Sequence, residues 1–502
     1  MESAQLKEVK TLGALKATGY TSKSVKQELR DNLIQKIKDK ENVFEGIWGY
    51  EDTVIPDMER AILSMHDINL LGLRGQAKTR MARMMVYLLD EYIPIIDGSE
   101  MNDDPFNPIS RYGVDTIAEK GDDTPISWLH REERYSEKLA TPDVSIADLI
   151  GDVDPIKAAT LKLPYSDERV IHFGLIPRSH RGIFVINEIP DLQARIQVAL
   201  FNILQEGDIQ IRGFKVRMPL DIQFVFTANP EDYTNRGSIV TPLKDRIDSQ
   251  IITHYPKDIT IGRKITEQEA NIKPEQKDLV EVNDISKDLI EQIAFVARDS
   301  EYVDSKSGVS ARLTISAYEN LLSAAERRSL YNGEKTQIRV SDLYGVVPSI
   351  TGKVELVYEG EQEGAGIVAR NLVGKAIRSQ FVEYFPDPDK IRKQKGENPY
   401  KTITDWFGDN HEVDLLNDFN NKEHEKALKD IPGLEKLVDQ YHKNESSATK
   451  LFLMEFALHG LAEYSMLSRH ELVRGLQFKD LLSGMFTMPG PDDEDEEDDN
   501  HF

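Results

Sequence analysis

The stretch LLGLRGQAKTRMARMMVYLLDEY, residues 70–92, decides the fold. An apolar run from Ile68 to Leu73 enters a glycine loop, the loop ends in Lys78-Thr79, and an amphipathic segment of helical period follows. Strand, glycine loop, Lys-Thr and helix form the context of a phosphate-binding P-loop, with Gly72 six residues before Lys78. In such a loop the backbone around Gly72, Leu73, Arg74, Gly75, Gln76 and Ala77, and the helix start at Lys78, Thr79 and Arg80, would cradle phosphate oxygens. Lys78 would reach the β- and γ-phosphates, and the Thr79 hydroxyl would bind Mg2+. Ala77 stands where a glycine usually precedes the lysine, and Gly75 is an additional glycine. The bland alternative is an ordinary glycine turn between strand and helix.

A P-loop needs an acidic pair at the end of a neighbouring strand. RGIFVINEIPDL, residues 181–192, supplies an apolar strand running into Asn187-Glu188. Glu188 would orient and polarise the attacking water. Asn187 takes the place of a magnesium-holding aspartate; its amide oxygen accepts a hydrogen bond but carries no charge. A third polar-ended strand, IQFVFTANPEDY, would place Asn229 beside the γ-phosphate. TPLKDRIDSQI then sets Arg246 just before another strand-like run, where in a ring it could reach a neighbour's γ-phosphate. Each feature alone has a bland reading, a polar strand end or a solvated arginine. Together, in this order and spacing, they point to nucleotide chemistry.

Composition narrows the classes. The 502 residues exceed one compact domain. With 62 basic and 87 acidic residues the formal charge is −25, which argues against nucleic-acid binding as the main activity. There are no cysteines, so disulfides, zinc–cysteine sites and cysteine nucleophiles are excluded. No apolar run reaches membrane-spanning length and the first residues lack a signal-peptide core, so a cytoplasmic protein without membrane insertion is expected. Alternating short apolar runs and amphipathic stretches predict an α/β domain. The expected organisation is an N-terminal helical segment at 1–42, an α/β core at 43–257 with an insertion at about 100–180, and helices at 258–385. A linker at 386–401, a helical region at 402–488 and a disordered acidic tail at 489–502 complete it.

At this point the sequence resembles the AAA+ ATPases of the MoxR and magnesium-chelatase ATPase-subunit (subunit I-like) group, over roughly residues 43–350. EGIWGYEDTVIPDMERAIL resembles the segment bordering the adenine, with Ile47, Gly49 and Glu51 at its marked positions. GLRGQAKT resembles the MoxR form of the loop, in which alanine before the lysine is usual. FGLIPRSHRGIFVINEIPDL is similar to the chelatase phrase before the acidic strand, and LQEGDIQIRGFKVRMPLDIQFVFTANPED to the hairpin before the sensor asparagine. LKDRID resembles the arginine-finger motif at Arg246, and SGVSARLTISAYENLLSAAERRSLYNG the lid helix whose sensor arginine maps onto Arg312. The departure is Asn187, where the family has Asp.

The resemblance implies an α/β P-loop AAA+ core of parallel sheet and flanking helices, followed by an α-helical lid. It implies ATP and Mg2+ as cofactors and a hexameric ring of copies of this chain. It further implies mechanical work on a protein client, with a von Willebrand A domain partner typical of the group; the Asp-x-Ser-x-Ser motif of such a domain is absent from this chain. Arg212, Phe214 and Lys215 in the hairpin are candidate client contacts, or a solvated turn. Three alternatives stand beside this reading. One is a nucleotide-gated scaffold that hydrolyses ATP poorly because of Asn187. Another is a metal-chelatase motor subunit. The third is a transcription-linked AAA+ protein, which would contact sigma factor through a Gly-Ala-Phe-Thr-Gly-Ala loop that is absent here.

Overall fold

The computed structural model describes residues 8–165, 167–211, 217–230, 238–393 and 398–481. It forms two compact units, Met1–Tyr255 and Pro256–Phe502. The first is built on a five-stranded sheet of β1 (Ile68–Leu71), β2 (Tyr135–Leu139), β3 (Gly182–Asn187), β4 (Ile222–Ala228) and β5 (Ser249–Ile252). Spatial order is β5-β1-β4-β3-β2, and every pairing is parallel. The inner strands β3 and β4 are buried on both faces, which is why they read as continuous apolar runs.

The two edges read differently. β2 is the polar segment YSEKL, partly exposed along its length, and no apolar run announces it. It lies inside the expected insertion at about 100–180, so that block is not wholly an insertion: it contributes one strand of the main sheet. Conversely, the apolar run Ile93–Ile96 lies outside the parallel sheet, because Tyr92–Ile96 pairs antiparallel with Ile126–His130. The strands Asp208–Gln210 and Arg217–Pro219 pair antiparallel as expected of the hairpin arms. Arg212, Phe214 and Lys215 lie outside the described residues.

The N-terminal segment is part of this unit rather than an appendage. Helix α1 (Val25–Asp39) starts at Ser24, whose hydroxyl accepts from Gln27 N, and its Val25, Leu29 and Leu33 enter the core beneath the sheet. Its buried Glu28 accepts two hydrogen bonds from Arg134, at 2.7 and 2.6 Å, and one from Asp90 N. Arg134 Nε also donates to Arg181 O at 2.8 Å, so one buried ion pair ties α1 to the starts of both β2 and β3.

The second unit has a single core running from Val280 to Phe478. Helices α5 (Asp284–Arg298), α6 (Arg312–Asn332), α7 (Ala365–Tyr384) and α8 (Ser447–Glu463) all contribute. The expected lid at 258–385 and the expected region at 402–488 therefore share one hydrophobic interior. The segment between them is no free linker among its described residues: Tyr400 is fully buried and donates its hydroxyl to Pro386 O. Nor is 402–488 purely helical. β6 (Val413–Leu416), β7 (Ser468–Leu472) and β8 (Gly475–Lys479) form an antiparallel sheet in the order β6-β8-β7. Only Val413 with Leu415 and Leu476 with Phe478 carry the inward alternation, too short a signal to stand out beside helical segments. The acidic tail lies outside the described residues.

Helix α8 is buried on every side from Phe452 to Leu461, and most of that stretch is apolar. Its fully buried Glu455 accepts from Val340 N at 3.2 Å, from Ser341 N at 2.8 Å, and faces His424 Nε2 at 3.1 Å. At Gly460 the helix meets α7 so closely that an added Cβ would collide with the ring of Phe381. Gly460→Ala should therefore lower the stability of the second unit by about 1–3 kcal/mol, the usual cost of overpacking a filled core. Thermal unfolding checks this, and truncating Phe381 to Leu in the same chain should return part of the loss.

Candidate nucleotide site

Strand parity builds the pocket. Ile183, Val185 and Val225 face one core, which they share with Met81 and Ala82 of helix α3 (Lys78–Met84). Phe184, Ile186, Phe224 and Phe226 face the opposite core. Continuing the alternation by one step of two places Asn187 and Thr227 on the α3 face, at the carboxyl ends of the strands. Ligands of open α/β sheets bind in that crevice.

The phosphate loop is held open by backbone geometry. Gly75 lies at φ 72° and Ala77 at φ 56°, both left-handed, and α3 begins at the next residue, Lys78. Lys78 is buried, with its ammonium on the carbonyls of Gly72 and, at 3.0 Å, Leu73. A Cβ at Gly72 would collide with Thr253 Oγ1 and Gln76 Oε1, so only glycine fits there. The underside of the loop is clamped by groups the sequence did not single out. Thr253 donates to the buried Gln76 Oε1 at 2.7 Å. Tyr50 Oη lies 3.1 Å from Gln76 O and 2.8 Å from His254 O. Burial pushes the Tyr50 phenol up to about 12, so it stays a proton donor. Tyr255 donates to Arg74 O at 2.9 Å. Beside Tyr50, Ile47 is buried and Gly49 takes φ 80°, setting the bend of the segment expected against the adenine.

The strand ends meet the loop through hydroxyls. Thr79 donates to Asn187 Oδ1 at 3.1 Å, and Thr227 donates to the same oxygen at 3.2 Å. Thr227 Oγ1 in turn accepts from Glu188 N at 3.0 Å. Glu188 sits at φ 55°, a left-handed conformation uncommon for a residue of its kind. Its Oε2 and Asn229 Oδ1 are buried with no hydrogen-bond partner among the described residues. Two such orphaned acceptors above a phosphate-type loop are what a bound water or polar ligand would satisfy. The donor set fits a magnesium nucleotide: a hydroxyl at Thr79, an amide oxygen at Asn187, a carboxylate at Glu188 and an ammonium at Lys78.

Lys78, Thr79, Asn187, Glu188 and Asn229 thus share one end of the sheet. Arg80 is exposed on α3. Arg246 is not brought to these residues. It ends helix α4 (Thr241–Arg246), bonds to Gln205 Oε1 at 3.0 and 2.8 Å and to Pro242 O at 2.7 Å, and lies over the Phe201 ring. Arg312 opens α6 in the second unit with an exposed side chain. Thr227 was missed by sequence reasoning, although parity with Val225 could have found it. Tyr50, standing between Gly49 and Glu51, and Thr253, just past β5, carried no separate signal.

Comparison with known proteins agrees with this architecture. A family model described as the sigma-54 interaction domain matches residues 164–251, which hold β3, β4, α4 and β5. The magnesium-chelatase 38 kDa subunit of Cereibacter sphaeroides is 24% identical over 198 residues, covering 38% of this chain and 52% of that protein. The subunit of the same description from Rhodobacter capsulatus is 24% identical over 220 residues, covering 43% of this chain and 57% of its own. The chain therefore spans about half the length of the curated relatives it matches. Among solved structures, a complex of the BchI and BchD subunits of magnesium chelatase matches at 18% identity and TM-score 0.32, covering 63% of this chain and 97% of that one. A parallel sheet in the order β5-β1-β4-β3-β2, a P-loop at its carboxyl end and similarity to chelatase subunits give the chain an AAA+ type of fold, similar to that of the MoxR and magnesium-chelatase group.

Proposed function

We propose that the chain binds ATP with Mg2+ at this pocket, hydrolyses it, and works as one subunit of a ring that remodels or activates a protein partner. The observation that carries the reading is the cluster in which Thr79, Asn187 and Glu188 converge above the loop while Glu188 Oε2 and Asn229 Oδ1 lie buried without partners among the described residues. Loop N–H groups and Lys78 would hold the phosphates, and Thr79 would hold the metal, with Asn187 acting on its waters. Bound magnesium would supply charge neutralisation on the phosphates. Glu188 would take the proton of the attacking water, and Asn229 would fix that water's position. Arg246, outside the pocket of its own chain, would serve a neighbouring copy, and Arg312 would sense nucleotide from the lid. A hexamer and a partner bearing a von Willebrand A domain are the assembly this reading favours. Asn187 also favours a second reading, a nucleotide-gated scaffold with little turnover, because an amide contributes no charge to the metal site.

Lys78→Ala should abolish nucleotide binding, measured with a fluorescent ATP analogue; parental affinity in that variant would remove the P-loop reading. Gly72→Ala should weaken binding strongly, and Gly72→Ala with Thr253→Ala should recover part of it, because the second change removes one of the colliding groups. Glu188→Gln should bind ATP without turning it over. Mixed Arg246→Ala and Glu188→Gln subunits should regain ATPase activity above either variant alone, since some interfaces then hold one intact half from each parent. A fully active monomer would contradict shared sites. If the parent is inactive at saturating magnesium and Asn187→Asp restores turnover, the scaffold reading is the better account.

A further inference from the structure

Asn187 differs from a carboxylate in more than charge. A carboxylate presents an acceptor on either side, whereas an amide presents one acceptor and one donor group. The side that faces the P-loop threonine therefore matters at this position, and something must select it. We propose that Thr227 is a positioning residue that fixes the Asn187 amide with its oxygen toward Thr79 and the metal side of the pocket; this rests on the nucleotide reading above.

The selection follows from the hydrogen bonds. Thr227 is buried on β4, on the face that strand parity gives it. Its oxygen accepts from Glu188 N at 3.0 Å, and its proton goes to Asn187 Oδ1 at 3.2 Å. Thr79 donates to the same Oδ1 at 3.1 Å, so two hydroxyl protons fill the two lone pairs of one amide oxygen. An inverted amide would present N–H groups to both hydroxyls and leave both hydroxyl protons without that acceptor. It would also turn a partial positive charge toward the metal position. Asn187 is only half-buried, so burial alone does not hold the ring of contacts in one sense. Thr227 closes it from β4. The same hydroxyl holds the backbone N–H of Glu188 in its left-handed conformation. One side chain thus serves the metal side through Asn187 and the water side through Glu188.

The two duties separate in a double-mutant cycle. The proteins are the full chain as parent, Thr227→Val, Asn187→Asp and the double variant, with Thr227→Ser as the conservative control. The first readout is equilibrium binding of a fluorescent ATP analogue as a function of magnesium. Thr227→Val should raise the half-saturating magnesium about five- to tenfold, the effect of one lost hydrogen bond and a released amide. In the Asn187→Asp background, where both sides of the group are acceptors, the same change should shift it twofold or less. Thr227→Ser should stay near the parent. Within each background, Thr227→Val should leave binding of the analogue in EDTA within twofold. The second readout is the thermal midpoint of nucleotide-free protein, which Thr227→Val should lower equally in both backgrounds. Turnover should fall in both backgrounds too, through Glu188. Equal magnesium shifts with Asn and with Asp at 187 would overturn the proposal and leave Thr227 a packing residue. If Thr227→Val does not fold, Thr227→Ala, which adds no bulk, takes its place in the cycle with the same outcomes. Loss of the nucleotide reading would show separately, as analogue binding insensitive to Lys78→Ala.

Discussion

The first unit depends on two strands being buried on both faces. β3 and β4 contribute no solvent-facing side, so their alternate residues are committed to one core or the other. That commitment ends where the strands end. The next residues in the alternation, Asn187 and Thr227, emerge beside α3 because Val185 and Val225 already lie against it. A slip of one residue in either strand would send these polar groups into the opposite core and bring Phe184 or Phe224 toward the loop. The pocket is therefore a by-product of sheet register, and the packing that stabilises the sheet is also what sets the chemistry at its edge.

Around that core lie buried polar anchors. Glu28 and Arg134 join the N-terminal helix to two strands through four hydrogen bonds, two within the pair, one from Asp90 N to Glu28 and one from Arg134 Nε to Arg181 O. A buried pair of this kind adds little net stability over an apolar substitute, but removing one partner is costly. Its contribution here is to specify where β2, a strand with little apolar content, enters the sheet. Glu455 has the matching part in the second unit. Two backbone N–H groups and His424 surround it; burial pushes its carboxyl up, but the hydrogen bond from His424 and the nearby His459 ring, 3.8 Å away, hold it well below the usual range. It fastens α8 to the segment that starts at Val340.

What could be read from the sequence followed the strength of the local signal. The loop at 72–79 and the runs that became β1, β3 and β4 were legible because central parallel strands are apolar throughout and a P-loop requires glycine at fixed places. β2 was hidden because an edge strand with a solvated face can be written YSEKL. The run Ile93–Ile96 misled in the other direction: apolar content marks burial, not membership of a particular sheet. That the lid and the C-terminal region share one interior could not be read, because Phe381, Tyr400 and Phe456, far apart in sequence, meet in one aromatic cluster that no local window contains. At the site, the residues of the motifs were legible by type, and the groups that hold them were not. Thr253, Tyr50 and Thr227 act through contacts made across the sheet, where spacing along the chain carries no information.

The left-handed backbone at Glu188 has a consequence for how this position can vary. Conformation alone would favour glycine, asparagine or aspartate there, since a longer side chain at positive φ costs about 1 kcal/mol or more. The sequence nevertheless carries glutamate. Foldability and chemistry thus rank the twenty amino acids differently at one codon, and the residue present is the one that foldability ranks lower. A copy of this gene in which that carboxylate served no purpose would have a thermodynamic gradient leading away from glutamate, toward residues that relax the turn, while the neighbouring strand and its core stayed as they are.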